Sequence, residues 1–284
     1  MAPTNHSDTF EIGGEYRVHR LGYGAMRLTG EDIIGPPADE AAAKDLLKQA
    51  IEMGVDFVDT ADSYGPGVSE RLVGKAIDTD DVLVATKAGL LRNTDGEWLA
   101  HGDPDYIRNQ VLVSRDRLGV DSIDLYQFHR PDPDTPFEES VETFAELKDE
   151  GLVDHVGLSN VTVEQLETAR ELVEIATVQN RYNLAHREDE AVLQACESAG
   201  IGFIPWYPLA AGALDEVGDE LTDVAAAHDA TTYQIALAWL LEHADVTLPI
   251  PGTSTPAHLE ENVAASTIDL SDEEYISLSE ATAP

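Results

Sequence analysis

Residues 57–65 read FVDTADSYG. A short apolar run ends on a carboxylate, Asp59, and a polar turn then brings in a phenol, Tyr64. The figure recurs downstream. VLVATK, residues 82–87, closes on Lys87, and IDLYQFH, residues 123–129, closes on His129. Runs of this length and β-branched content read as buried strands. Three strands therefore end on groups that can hold or move a proton.

The four residue types suit one reaction. A phenol with a pKa near 10 is a poor proton donor at neutral pH, and a buried ammonium beside it favours the phenolate. Lys87 is expected to lower Tyr64 in this way. Asp59 would keep the ammonium charged after desolvation, and His129 would hold a substrate's carbonyl oxygen near the phenol. Singly, each residue has a plainer reading as a turn acceptor, a solvated lysine or a packed ring. Together they predict a carbonyl-reducing site.

Working outward, TFEIGGEYRVHRL predicts a hairpin turning at Gly13-Gly14. Strands are predicted to end near Met26, Asp59, Lys87, His129, Ser159, Asn180, Trp206 and Ile250. Helical patterns lie between them at 40–53, 69–77, 104–118, 138–150, 163–174, 188–199, 232–243 and 257–265. Asp103-Pro104 provides an N-cap followed by proline at the first helical position. Thr162 with Gln165 has capping-box spacing, as does Ser271 with Glu274 ahead of a C-terminal helix. Eight βα units imply a closed (β/α)8 TIM barrel in one domain spanning 1–284, with chemistry at the C-terminal strand ends. A doubly wound sheet competes, but Gly22-Tyr23-Gly24 continues to Arg27 where a dinucleotide fingerprint requires a third small residue.

Composition narrows the classes. Against 17 basic residues stand 55 acidic ones, a net charge of −38 spread along the chain. That balance disfavours nucleic acid and anionic membranes as partners. It fits a salt-adapted, halophilic source, because molar salt shrinks the Debye length to about 3 Å and removes the self-repulsion. Only five residues are lysine, which gives a lysine at an apolar strand end more weight. Cys196 is the single cysteine, so no intrachain disulfide or thiolate cluster forms. No signal sequence or long apolar run is evident, and a cytoplasmic protein, monomeric or weakly self-associating, is expected.

The chain resembles the aldo-keto reductases over nearly its whole length. RLGYGAM, DTADSYG, ATK, the Phe-His pair, GLSN, VQN, the aromatic-Pro-Leu run at Trp206 to Leu209, and PGTSTPAHLEEN all match that family's segments. The resemblance implies Tyr64 as general acid, Lys87 and Asp59 as its tuning pair, and His129 as the substrate-orienting group. It further implies that Ser159, Asn160 and Gln179 hold the nicotinamide carboxamide, which suits groups that both donate and accept. Trp206, or its neighbour Tyr207, would stack on the ring, with only one of the two facing the mouth of the barrel. Gly24 and Leu209 would line the same cleft, with Glu261 and Asn262 on the adenine side.

One departure from the family bears on the cofactor. Relatives that read a 2′-phosphate usually carry Lys and Arg after strand eight, whereas this chain has Gly252 and His258. The hydroxyls of Thr253 and Ser254 and the amides of a helix N-terminus remain available to an anion. NADPH is the expected cofactor, with NADH the alternative, and Gly252→Lys is expected to shift the preference towards NADPH. No metal is expected. The substrate is a small aldehyde or ketone, and the motifs most resemble the pyridoxal reductase (pyridoxine 4-dehydrogenase) branch. Met26, Trp98 and Arg130 read equally as pocket or rim. A dinucleotide-binding regulatory subunit and an NADH-linked alcohol dehydrogenase are the alternatives.

Overall fold

Gly13 and Gly14, both at positive φ, turn the chain between β1 (Thr9–Ile12) and β2 (Tyr16–His19), which pair antiparallel as predicted. Positive φ is the conformation glycine adopts without steric penalty. The computed structural model describes residues 9–77, 82–210, 214 and 218–281. Ile12 and Val18 of this hairpin pack with Phe57, Leu83, Leu125, Ile204 and Leu248, closing one end of the structure with an apolar plug.

Seven parallel strands form the wall. They are β3 (Tyr23–Gly24), β4 (Phe57–Asp59), β5 (Leu83–Ala88), β8 (Ile123–Phe128), β9 (Val153–Ser159), β10 (Ile175–Gln179) and β11 (Gly202–Phe203). The eighth stave is residues 246–251. Phe203 N donates to Val246 O at 2.8 Å and Leu248 N to Phe203 O at 2.7 Å on one side. On the other side, Gly22 N donates to Pro249 O at 3.0 Å and Gly24 N to Pro251 O at 3.5 Å. Pro249 and Pro251 have no N–H to return, so this stave closes the barrel without forming a full ladder. At the seam a Cβ on Gly24 would stand 2.7 Å from Ile250 O, and one on Gly252 would stand 2.7 Å from Gly24 O.

Helices cover the outside: α1 (Glu40–Glu52), α2 (Val68–Ala76), α3 (Pro104–Leu118), α4 (Phe137–Asp149), α5 (Val163–Arg170), α6 (Glu190–Ala199), α7 (Asp219–Ala227), α8 (Thr232–His243), α9 (Pro256–Ala264) and α10 (Asp272–Ala281). The caps work as read. Asp103 accepts from Tyr106 N, and Thr162 and Gln165 bond reciprocally at the start of α5. Ser271 and Glu274 pair in the same way before α10.

Strand alternation separates two environments. Val58 and Val84 face the helices, while Phe57, Leu83 and Leu125 face inward. Two residues further along, the inward positions become Asp59, Ala85 and Gln127, and then Lys87 and His129. The interior is thus apolar below and ionisable at the C-terminal mouth.

Several bounds differ from expectation. The first strand stops at Gly24 because the chain enters a 3₁₀ turn over Ala25–Leu28, and α5 ends at Arg170 rather than 174. The sequence pattern also missed a second hairpin, β6 (Leu90–Arg92) with β7 (Trp98–Ala100), folded beside the mouth.

Candidate active site

Lys87 and Asp59 sit on adjacent strands, fully buried, with Nζ 2.5 Å from Oδ1. Lys87 Nζ also donates to Thr60 O at 2.8 Å. The second carboxylate oxygen of Asp59 accepts from Gln127 Nε2 at 3.0 Å and from Gln179 Nε2 at 2.8 Å. One carboxylate thereby ties together four barrel strands, β4, β5, β8 and β10. A buried charge is tolerated only when paired and hydrogen-bonded in this way. Gln127 escaped the sequence reading, although it lies two residues before His129 and so shares its face.

Tyr64 lies on the turn after β4. Lys87 Nζ is 5.2 Å from its ring centroid, and the His129 ring meets it edge-on at 5.9 Å. The expected lowering of the phenol pKa is not found. Burial, reinforced by the Asp59 carboxylate, raises Tyr64 well above its ordinary value. The ammonium that was to lower it is bound to Asp59, whose own charge acts on the phenol in the opposite direction. Lys87 itself is lowered by burial, against the opposing pull of Asp59. His129 is held well below its ordinary range, first by burial and then by the charges of Lys87 and Arg130. The imidazole is therefore neutral at physiological pH, and Ser63 Oγ lies 3.5 Å from its Nδ1.

A cleft of about 350 Å³ opens over this group at the barrel mouth. Asp59, Tyr64, His129, Gly24, Ser159, Asn160, Gln179, Trp206, Leu209 and Gly252 all line it, which unites most of the residues singled out from sequence. Lys87 lies beneath. Asn160, at φ 58°, turns its side chain into a junction. Its Nδ2 donates to His129 O and Ser159 Oγ, each at 2.9 Å, while its Oδ1 accepts from Trp206 Nε1 at 3.1 Å. Ser159 Oγ donates in turn to Gln179 O at 2.7 Å.

Trp206 and Tyr207 both line the cleft, contrary to the expectation that only one would. Tyr207 has φ 54°, so the strand has already ended and alternation no longer applies.

Thr253, Ser254, His258, Glu261 and Asn262 lie further along, on the loop after the eighth stave and on α9, outside the lining of this cleft. Thr253 O accepts from Tyr23 Oη at 2.5 Å and Thr253 Oγ1 from Thr255 N at 3.0 Å, so this residue pins the loop. Ser254 and His258 are exposed, Glu261 is half-buried, and Asn262 is buried. Any side chain at Gly252 meets the carbonyl of Gly24, so Gly252→Lys would add a steric cost at the barrel seam. Arg27 was passed over in the sequence except as a fingerprint breaker. It lines the cleft, with Cγ 3.7 Å from where a Gly252 Cβ would stand.

The second hairpin forms the opposite wall. Trp98 meets Tyr64 edge-on at 6.3 Å, and the Arg92 guanidinium lies 3.8 Å from the Trp98 ring centroid. Arg92 also donates to Asp32 O, Ile33 O and Gly96 O, joining the hairpin to the loop after β3. Among the described residues no cluster of His, Cys, Asp and Glu could hold a metal ion, and no helix is long and apolar enough to cross a membrane.

Comparison with known proteins agrees with this architecture. An oxidoreductase of Schizosaccharomyces pombe is 48% identical over 268 residues, covering 94% of this chain and 88% of its own. Pyridoxine 4-dehydrogenase of Escherichia coli is 42% identical over 275 residues, covering 94% and 96%. The crystal structure of an aldo/keto reductase from Klebsiella pneumoniae, in complex with NADP and acetate, superposes with a TM-score of 0.84 at 28% identity, covering 98% of this chain and 96% of that one. The aldo/keto reductase family model matches residues 20–283, and the chain belongs to that family.

Proposed function

We propose that the protein reduces aldehyde or ketone carbonyls to alcohols with NADPH, with NADH as the other donor the cleft could accept, and that pyridoxal is among its substrates. The observation that carries this reading is the convergence of Tyr64, His129 and the Lys87–Asp59 pair on one cleft. Identity to pyridoxine 4-dehydrogenase supports pyridoxal in particular.

The residues present suit a nicotinamide dinucleotide. Ser159, Asn160 and Gln179 form a wall of donors and acceptors matched to a carboxamide, and Trp206 provides an aromatic face next to them. Arg27 adds a cation beside Gly252 where the loop itself has none. Bound reduced nicotinamide supplies a hydride to the carbonyl carbon.

The chain's own groups do the remainder. Neutral His129 donates a hydrogen bond to the carbonyl oxygen, and Tyr64 Oη gives that oxygen its proton as the alkoxide develops. Lys87 then stands beside the resulting phenolate. The raised phenol pKa keeps the proton in place until the oxyanion, a stronger base, calls for it.

The direct test follows the absorbance of NADPH and NADH at about 1 M KCl, a salt level that screens the chain's net charge, with pyridoxal and a panel of small aldehydes. Turnover with NADPH is expected. Cofactor binding without turnover on any carbonyl would overturn the reading in favour of a regulatory dinucleotide-binding protein.

A further inference from the structure

Two cations, Arg27 and Arg130, line the cleft, and neither makes a hydrogen bond or ion pair with the described residues. The chain carries 55 acidic residues against 17 basic ones, yet no carboxylate answers either cation at the cleft. Several other guanidinium groups are engaged, Arg117 with Glu70, Arg108 with Glu146, Arg170 with Glu167, and Arg92 with three carbonyls, whereas the unpaired Arg71 and Arg115 lie on helices away from the cleft. Arg27 lies beside the loop after the eighth stave and belongs to the dinucleotide side. Arg130 follows His129 directly and stands at the other end, where the carbonyl would sit.

The acid closest in sequence to Arg130 is committed to other partners. Asp132 accepts from Gly102 N at 2.7 Å, Asp134 N at 2.9 Å and Thr135 Oγ1 at 3.0 Å, so its carboxylate braces the loop. Arg130 is exposed, its charge is felt at the His129 imidazole, and the chamber beyond is walled by Trp98 and Tyr207. An unpaired guanidinium at the rim of a partly apolar chamber is a receptor for an anion, because planar paired donors match carboxylate and phosphate oxygens.

On the reading that this cleft reduces carbonyls, we infer that Arg130 selects the substrate: the preferred compounds are aldehydes or ketones that carry an anionic group, carboxylate or phosphate, within reach of Arg130 when the carbonyl lies between Tyr64 and His129. Against a surface of net charge −38, a local cation is what allows an anionic substrate to dwell at the mouth. Molar salt screens the distant repulsion and leaves the contact pair largely intact.

The test compares 4-carboxybenzaldehyde with its neutral amide, and glyceraldehyde 3-phosphate with glyceraldehyde, using NADPH at about 1 M KCl. The two pairs separate carboxylate from phosphate as the anion read. The wild-type protein should favour at least one charged member by about 3- to 10-fold in kcat/KM, expressed mainly in KM, the scale of an ion pair with an exposed guanidinium. Arg130→Gln should bring that ratio towards one, and Arg130→Lys should retain part of it. Equal kcat/KM for charged and neutral members in the wild type, or a preference that survives in Arg130→Gln, overturns the inference. If no carbonyl is turned over, the reductase reading fails separately. Calorimetric binding of 4-carboxybenzaldehyde to the NADPH-loaded protein then decides the point: binding lost in Arg130→Gln supports it, and equal binding overturns it.

Discussion

Lys87 Nζ stands 2.5 Å from Asp59 Oδ1, with both side chains almost wholly removed from solvent. Each charge depends on the other. Lys87→Met should strand a buried carboxylate and destabilise the fold by about 3–5 kcal/mol, while the double variant with Asp59→Asn should recover part of that loss. Denaturant unfolding of the two single variants and the double completes the cycle. A double variant no more stable than the sum of the single losses would show that the pair is not coupled.

Tyr64→Phe should lower kcat by about 10²- to 10⁴-fold and leave the NADPH dissociation constant almost unchanged, since the phenol gives a proton and does not grip the dinucleotide. The pH profile should agree. With Tyr64 raised by burial and His129 lowered, carbonyl reduction should be level from about pH 6 to about pH 9. Substantial activity in Tyr64→Phe, or a rate that falls near pH 7, would remove Tyr64 from the role.

Asp62 sets a different pH dependence. Burial, with Glu70 nearby, lifts its carboxyl to about 8 from 3.8, even though Tyr106 Oη donates to it at 2.7 Å. An acid whose folded pKa is raised keeps a proton that the unfolded chain releases, so it weakens the fold increasingly as pH climbs from about 4 to about 8. Asp62→Asn should therefore gain stability relative to wild type at pH 8 compared with pH 5, read from unfolding midpoints. The same difference at both values would show that Asp62 is ionised throughout.

At the barrel seam the two residues that depart from the family should behave differently. Gly252→Ala should cost about 1–3 kcal/mol of stability, because its methyl group meets Gly24 O across the closing stave. His258→Arg, exposed on the first turns of α9, should leave stability unchanged and tighten NADPH relative to NADH by a few-fold, the scale of an exposed ion pair. Fluorescence titration with both cofactors measures the ratio. An unchanged ratio would mean that the phosphate is held elsewhere, with Arg27 the next residue to vary.

The strand ends could be read because their signal is local: an apolar run, then a functional group, repeated at barrel spacing. Gln127 was available by the same period-two argument and was overlooked. The β6–β7 hairpin was not readable, since two three-residue strands carry too little pattern, even with Asp95-Gly96 between them. The positive φ of Tyr207, which brings two aromatic rings to the cleft instead of one, leaves no mark in the sequence. The Tyr64 pKa was misjudged for a tertiary reason. Sequence placed a lysine nearby, but could not reveal that burial would prevail or that Asp59 would hold the ammonium at 2.5 Å.

Ile12 and Val18 turn the barrel into a well with a floor. The hairpin seals one end with apolar side chains, so traffic through the wall's interior has a single door at the strands' C-terminal ends. The hairpin at the far end of the molecule thereby fixes the face at which the cleft opens, without touching the site.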